Sequence, residues 1–305
     1  MTWENSITDY VHYLKLERGL AANSISSYRR DIEKLAEFAG NQGAEALPNR
    51  IARPQLEDFI HQIAGSLNPR SQARIISGLR GFFAYLVFEG YRGDNPMDLI
   101  ESPKVGRKLP DTLSVDEIDR VIGAIDRSLP EGERNRAMLE TLYGCGLRVS
   151  ELLDLRLSDL FFDEGFIKVT GKGSKERFVP ISRHNQACIT LYLKQIRPQQ
   201  AADTRFEETV FLSRRGRKLS RAMLFSIVRD LAAKAGLKKK ISPHTFRHSF
   251  ATHLLQNGAD IRAIQQMLGH ESITTTEVYM HVDRSHLSEV VQKFHPRKNA
   301  DASLN

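Results

Sequence analysis

Side chains able to handle a phosphate-like anion are concentrated in a few short stretches of this chain. The most telling is Ser242-Pro-His-Thr-Phe-Arg-His-Ser-Phe-Ala-Thr-His253. Ser242 is a natural cap, and Pro243 suits the first position of a helix, where its missing N–H is not needed. Phe246, Phe250 and Leu254 recur at helical spacing and predict a core-facing stripe. His244 and Arg247, three apart, then neighbour one another at the helix start, where free backbone N–H groups already favour an anion. His244 and His248 also stand four apart, as in helical zinc sites. The glutamate of a His-Glu-x-x-His motif is missing, however, and Arg247 between them would repel a cation. The reading is an anion seat without a metal.

Three further stretches carry similar chemistry. In Tyr143-Gly-Cys-Gly-Leu-Arg-Val-Ser-Glu-Leu-Leu153 a tight glycine turn precedes Arg148, which restarts a helix with Glu151 one turn on. Such an i, i+3 pair need be no more than a surface salt bridge. Phe166–Thr170 and Arg177–Ile181 read as β-strands joined by Gly171-Lys-Gly-Ser-Lys-Glu176, a hairpin whose basic tip bears Lys172 and Lys175. Ile261, Ile264, Met267 and Leu268 predict a helix stopped by Gly269, which throws His270 off its end. Beyond it, Glu271 to His281 reads as a short helix capped by Ser272 and bearing Tyr279, and a lone helical tyrosine is ordinarily a core residue. Seven of the ten histidines fall between His244 and His295, although His253, beside Phe250 and Leu254, reads as packed core.

The elements that must position these groups divide the 305 residues into two parts. Residues 1–100 read as four amphipathic helices, marked by Tyr10, Val11 and Leu14, by Ile25 to Phe38, by Leu56 to Ile63 after Pro54, and by Ile75 to Leu86. Arg29 and Arg30 on the second helix and Arg70, Arg74 and Arg80 on the fourth read as an exposed basic face. Residues 101–111, with two prolines and no hydrophobic periodicity, read as a linker. A second, mostly helical unit spans 112–295 and opens on Ser114 as an N-cap; the polar tail 296–305 is expected to be disordered.

The formal charge is +7, and residues 1–107 hold 13 basic and 13 acidic side chains, so the whole excess lies in the second part. A polyanionic partner is the expectation. Two cysteines, no secretory signal and no apolar run approaching ~18 residues predict a cytoplasmic protein that does not span a membrane.

Taken in order, Arg148 in Gly-Leu-Arg-Val-Ser-Glu-Leu, Lys172 in Gly-Lys-Gly-Ser-Lys-Glu-Arg, His244 and Arg247 in His-Thr-Phe-Arg-His, His270 in Leu-Gly-His, and Tyr279 resemble the tyrosine recombinases. The resemblance extends over essentially the whole chain and is to the Xer type, which resolves chromosome dimers, rather than to larger integrases with an added arm-binding domain. Phe246 stands where the family often has Leu, and Glu277 and Met280 where Gln and Thr are common, but every catalytic position is filled.

The resemblance implies a mainly α, two-domain C-shaped clamp: a four-helix, SAM-like core-binding domain, and a mostly helical catalytic domain with a small β-hairpin or sheet. It implies that Tyr279 attacks a DNA phosphate, forming a 3′-phosphotyrosyl link and expelling a 5′-hydroxyl, without metal, cofactor or ATP. Arg148, Arg247, His244 and His270 would cradle the extra negative charge of the transition state. His244 is the candidate base for the phenol, Lys172 the favoured general acid and Lys175 its competitor, and Glu151 would orient Arg148. Arg29, Arg30, Arg70, Arg74, Lys175, Arg214 and Arg215 are candidate contacts to the double-stranded DNA. The implied partners are three further copies in a tetrameric synaptic complex, a second related recombinase in some of those positions, and a DNA translocase as activator. Asp283 to Phe294 is an amphipathic segment suited to docking on a neighbour or on its own chain. Integration of a mobile element, type IB topoisomerase relaxation and silent DNA binding are the competing activities.

Overall fold

The computed structural model describes all residues except 42–45, 105, 107–110, 172–174, 201, 270–281 and 300–305, and the backbone alone of 282–286 and 298–299. The chain forms two units, Met1–Lys108 and Leu109–Asn305.

The first unit is built from α1 (Trp3–Leu16), α2 (Ala22–Gly40), α3 (Arg53–Ala64) and α4 (Pro69–Phe88). Each apolar stripe meets the others in one core, in which Ile32, Leu35, Leu56, Ile75, Leu79, Phe82 and Phe83 are fully buried. Asn68 caps α4 by accepting from the Ser71 N–H, and Pro69 opens it. Two arginines of the expected basic face are spent inside this unit. Arg74 grips the buried Asp31 with both Nη atoms and donates to Ser27, tying α4 to α2. Arg80 donates to the carbonyls of Met97 and Ile100 and so pins down the chain after α4. Helical periodicity marks both as lying off the core stripe, but it cannot show the carboxylate or carbonyls that the fold brings to them.

The second unit runs α5 (Val115–Gly123), α6 (Gly132–Gly144), α7 (Val149–Asp154), a small sheet, α8 (Arg183–Leu191), α9 (Arg221–Lys234), α10 (Pro243–Gln256), α11 (Ile261–Leu268) and α12 (Val282–Phe294). Ser114 caps α5 as expected, accepting from the Glu117 N–H while Glu117 accepts from its own. The hairpin is present as β2 (Phe166–Thr170) and β3 (Glu176–Pro180), paired from Phe166↔Pro180 to Thr170↔Glu176, with a two-residue strand β1 (Leu160–Phe161) added against β2. α6 is buried almost throughout, and Phe246, Phe250 and Leu254 of α10 are fully buried, as their spacing predicts.

The C-terminal helix takes one of its two expected dockings, and the residues beyond it depart from expectation. Leu287, Val290 and Val291 of α12 are buried in this chain's own core, and Asn257 donates to the Phe294 carbonyl, so the helix docks in cis. Nor is the start of the polar tail disordered: Pro296–Asn299 forms a 3-10 turn, with Arg297 paired to Glu140 at 3.0 Å and to Asp119 at 2.6 Å. Polar composition predicted disorder, but a buried carboxylate on α6 supplies the counter-charge that orders it. Among the described residues no helix is long and apolar enough to cross a membrane.

Candidate active site

The Gly144-Cys-Gly turn presses the approach to α7 onto α10. Gly146 has φ +58, and a Cβ there would come within 2.4 Å of the Phe250 ring, so only glycine fits. The turn leaves Arg148 extended at the N-cap of α7. Glu151, on the first turn, accepts from the Arg148 backbone N–H at 2.8 Å and from its Nη1 at 2.7 Å. This is not the surface salt bridge that the spacing allows, because the Glu151 side chain is only 1% exposed.

What balances that buried carboxylate is mainly Arg177 on β3, which donates from Nη1 and Nη2 to the two Glu151 oxygens at 2.8 and 2.9 Å. Arg247 of α10 stands 3.7 Å from the same carboxylate. The expected pairing of Glu151 with Arg148 is therefore one part of a larger arrangement, in which three guanidinium groups surround one carboxylate. Sequence reading does not single out Arg177, which reads only as the first residue of a strand. The signal lay in the alternation: Arg177 shares a strand face with the buried Val179, and a charge on a core-facing position requires a buried partner.

The same arginines cap the end of α11 in sequence. Arg177 Nε donates to the Met267 carbonyl at 2.9 Å, Arg247 Nη2 to Leu268 at 2.6 Å and Arg148 Nη2 to Gly269 at 3.1 Å. These last carbonyls of a helix have no intrahelical partner and carry the negative end of its dipole, which suits three cations. Gly269 ends the helix in the left-handed conformation, φ +63, as expected. Arg247 also donates to the Gly146 carbonyl at 2.7 Å, locking α10 to the glycine turn.

Burial alone would raise the Glu151 carboxyl, but the hydrogen bond and charge of Arg177, followed by Arg148, outweigh it and hold the pKa down to about 2. Burial, then the charge of Arg148, lowers Arg247 to about 10, which leaves it protonated at neutral pH. Three partly buried cations against one buried anion leave excess positive charge, which suits a phosphodiester. A testable consequence concerns acid stability. A carboxyl held below its ordinary 4.5 contributes stability that is complete above that value and is lost as pH falls toward about 2. Glu151→Gln should destabilise the protein by about 3 kcal/mol at neutral pH. The gap between the melting temperatures of the two proteins should close between pH 4.5 and 2; a constant gap across that window would contradict the account.

Of the other expected residues, His244 lies exposed on the first turn of α10, one turn before Arg247. Lys172, His270 and Tyr279 lie outside the described residues, as does the Ser272-capped helix. Among the candidate DNA contacts, Arg29 pairs with Glu33 at 2.7 Å, Arg214 pairs with Glu131, and Arg74 is held by Asp31. Arg30 donates to the Ser26 carbonyl, while Arg70, Lys175 and Arg215 are exposed with no ion pair among the described residues.

Comparison with known proteins follows the same lines. The profile of the phage integrase family matches residues 111–286, and that of the phage integrase N-terminal SAM-like domain matches residues 7–90. A tyrosine recombinase XerD of Listeria monocytogenes is 40% identical over 292 residues, covering 95% of this chain and 98% of its own. One of Oceanobacillus iheyensis is 41% identical over 295 residues, covering 96% and 99%. Among solved structures, the XerH site-specific recombinase bound to palindromic difH substrate, in a post-cleavage complex, is 25% identical with a TM-score of 0.70, over 90% of this chain and 81% of that one.

Proposed function

This chain belongs to the phage integrase family of tyrosine recombinases and is a site-specific DNA recombinase, and from that premise we propose that it works through a covalent phosphotyrosyl intermediate on Tyr279. The phenol oxygen attacks the scissile phosphorus, the bond from phosphorus to the 5′ oxygen breaks, and the strand is held by its 3′ phosphate. The departing 5′ oxygen takes a proton from Lys172, with Lys175 as the alternative donor on the same hairpin. Reversal by the 5′-hydroxyl of a partner strand rejoins the backbone, and the phosphodiester energy is conserved in the ester. Neither ATP nor a metal enters this scheme.

The observation that supports this reading best is the gathering of Arg148, Arg177 and Arg247 around a single buried carboxylate. The phosphorane-like transition state carries more negative charge than the ground state, and fixed cations stabilise it selectively. His244 would accept the phenol proton and His270 would donate to a nonbridging oxygen. Double-stranded DNA is the partner, consistent with the XerH site-specific recombinase bound to palindromic difH substrate. The exposed Arg30, Arg70, Lys175 and Arg215 are the best placed phosphate contacts, since none is already committed to a carboxylate among the described residues. Exchange between two duplexes needs four protomers, with a second related recombinase and a translocase as candidate participants, and dimer resolution at chromosome segregation as the biological setting.

A nicked duplex that loses its 5′-hydroxyl fragment on cleavage tests this reading. The protein should become attached to the 3′ end in a chelator and without ATP, and the attached peptide should contain Tyr279. Attachment through another residue, or to a 5′ end, would overturn it.

A further inference from the structure

We propose that Arg177 is a positioning residue for strand cleavage, aligning through Glu151 and the end of α11 the segments that carry the reacting groups. The inference rests on the recombinase reading above.

Arg177 commits three donors to two targets. Its fork takes both oxygens of Glu151, whereas Arg148 Nη1 takes one and Arg247 stands off at 3.7 Å. The plane of the carboxylate is thus set by Arg177, and the directions in which Arg148 and Arg247 can present their remaining donors follow from it. Without that fork, Glu151 would turn wholly onto the two arginines that are to meet the phosphate, withdrawing positive charge from where it is needed.

The third donor reaches the Met267 carbonyl, and the Arg177 side chain lies directly under Gly269. A Cβ built on Gly269 would stand 3.2 Å from the Cδ, Nε and Cζ of Arg177. The arginine is therefore the floor of the turn from which the chain continues to His270. At the other end, β3 begins at the hairpin loop, closed by the Gly171 N–H donating to the Lys175 carbonyl at 2.7 Å. Arg177 is two residues from Lys175, so the base of the lysine-bearing loop is anchored to the same carboxylate as Arg148. One side chain thereby joins α7, the hairpin and the end of α11. Lysine could preserve the charge but not the fork and the Nε contact together.

The test uses the full-length protein and the nicked duplex, with adduct formation followed in single turnovers at saturating DNA. DNA affinity is measured by anisotropy and folding by circular dichroism. Arg177→Gln should bind DNA almost as well as the unaltered protein yet form adduct on the order of 10²-fold more slowly, the scale of a small misplacement at the reacting centre. Arg177→Lys, which keeps the charge and guards against a glutamine variant that does not fold, should recover only a minor part of the rate. Gly269→Ala, which disturbs the same seat without removing an arginine, should be slowed likewise. Cleavage at the unaltered rate by a folded Arg177 variant would overturn the proposal, as would a defect that saturating DNA removes. If the unaltered protein forms no adduct, the recombinase reading itself falls, which is a different result from equal rates in protein and variant.

Discussion

Tyr279→Phe should form no covalent adduct with a nicked duplex while retaining its affinity for DNA. The change removes only the phenol oxygen, the proposed nucleophile, and keeps the aromatic ring. A phenol with an ordinary pKa near ~10 is largely protonated at neutral pH and needs both a proton acceptor and nearby positive charge to react. In the proposed reaction the three arginines gathered about Glu151 would provide that charge. With no oxygen to attack, no degree of electrostatic help can restore the step, so the loss should be complete rather than partial. Gel retardation and denaturing electrophoresis of the same reaction separate binding from attachment. An adduct formed by the phenylalanine variant would remove Tyr279 from the role.

Arg247→Ala should lower the rate of adduct formation by ~10² to 10³, the usual cost of losing one preorganised donor to a developing charge. This arginine also has structural work, since it donates to the carbonyls of Gly146 and Leu268. Leaving these acceptors unpaired would cost about 1–3 kcal/mol each where water cannot reach them, so a lower melting temperature should accompany the slower chemistry. The two effects are separable. At a temperature where circular dichroism shows the variant fully folded, a purely structural role predicts normal cleavage, and a phosphate-binding role predicts the full rate loss. Normal cleavage under those conditions would exclude Arg247 from the reacting centre.

The cis docking of α12 bears on assembly. Its apolar face is already satisfied by the core of its own chain, and the turn beyond it is held by Arg297 against Glu140 and Asp119. Any exchange of this segment between protomers must first give up those contacts, so assembly would involve a trade of equivalent surfaces rather than the covering of a free one.

Local patterns were enough to place most of the elements. Ser114, Pro243 and Gly269 mark helix ends through capping, ring geometry and a left-handed backbone, all of which depend on a few adjacent residues. Phe246, Phe250 and Leu254 mark a buried face through spacing alone. The order of the motifs was also sufficient to identify the family, because each motif keeps its own local signature. Which charges meet is a different matter, for an ion pair is formed between residues far apart in the chain. Arg177 and Glu151, Arg74 and Asp31, and Arg297 and Glu140 are separated by long stretches that carry no mark of their meeting. Thus the sequence by itself determined the helices, the hairpin and the likeness to a recombinase. Only the tertiary structure decided that Glu151 is a buried hub, that Arg177 belongs to it, and that three arginines share the end of α11, because desolvation makes such charges seek one another only once the core has closed around them.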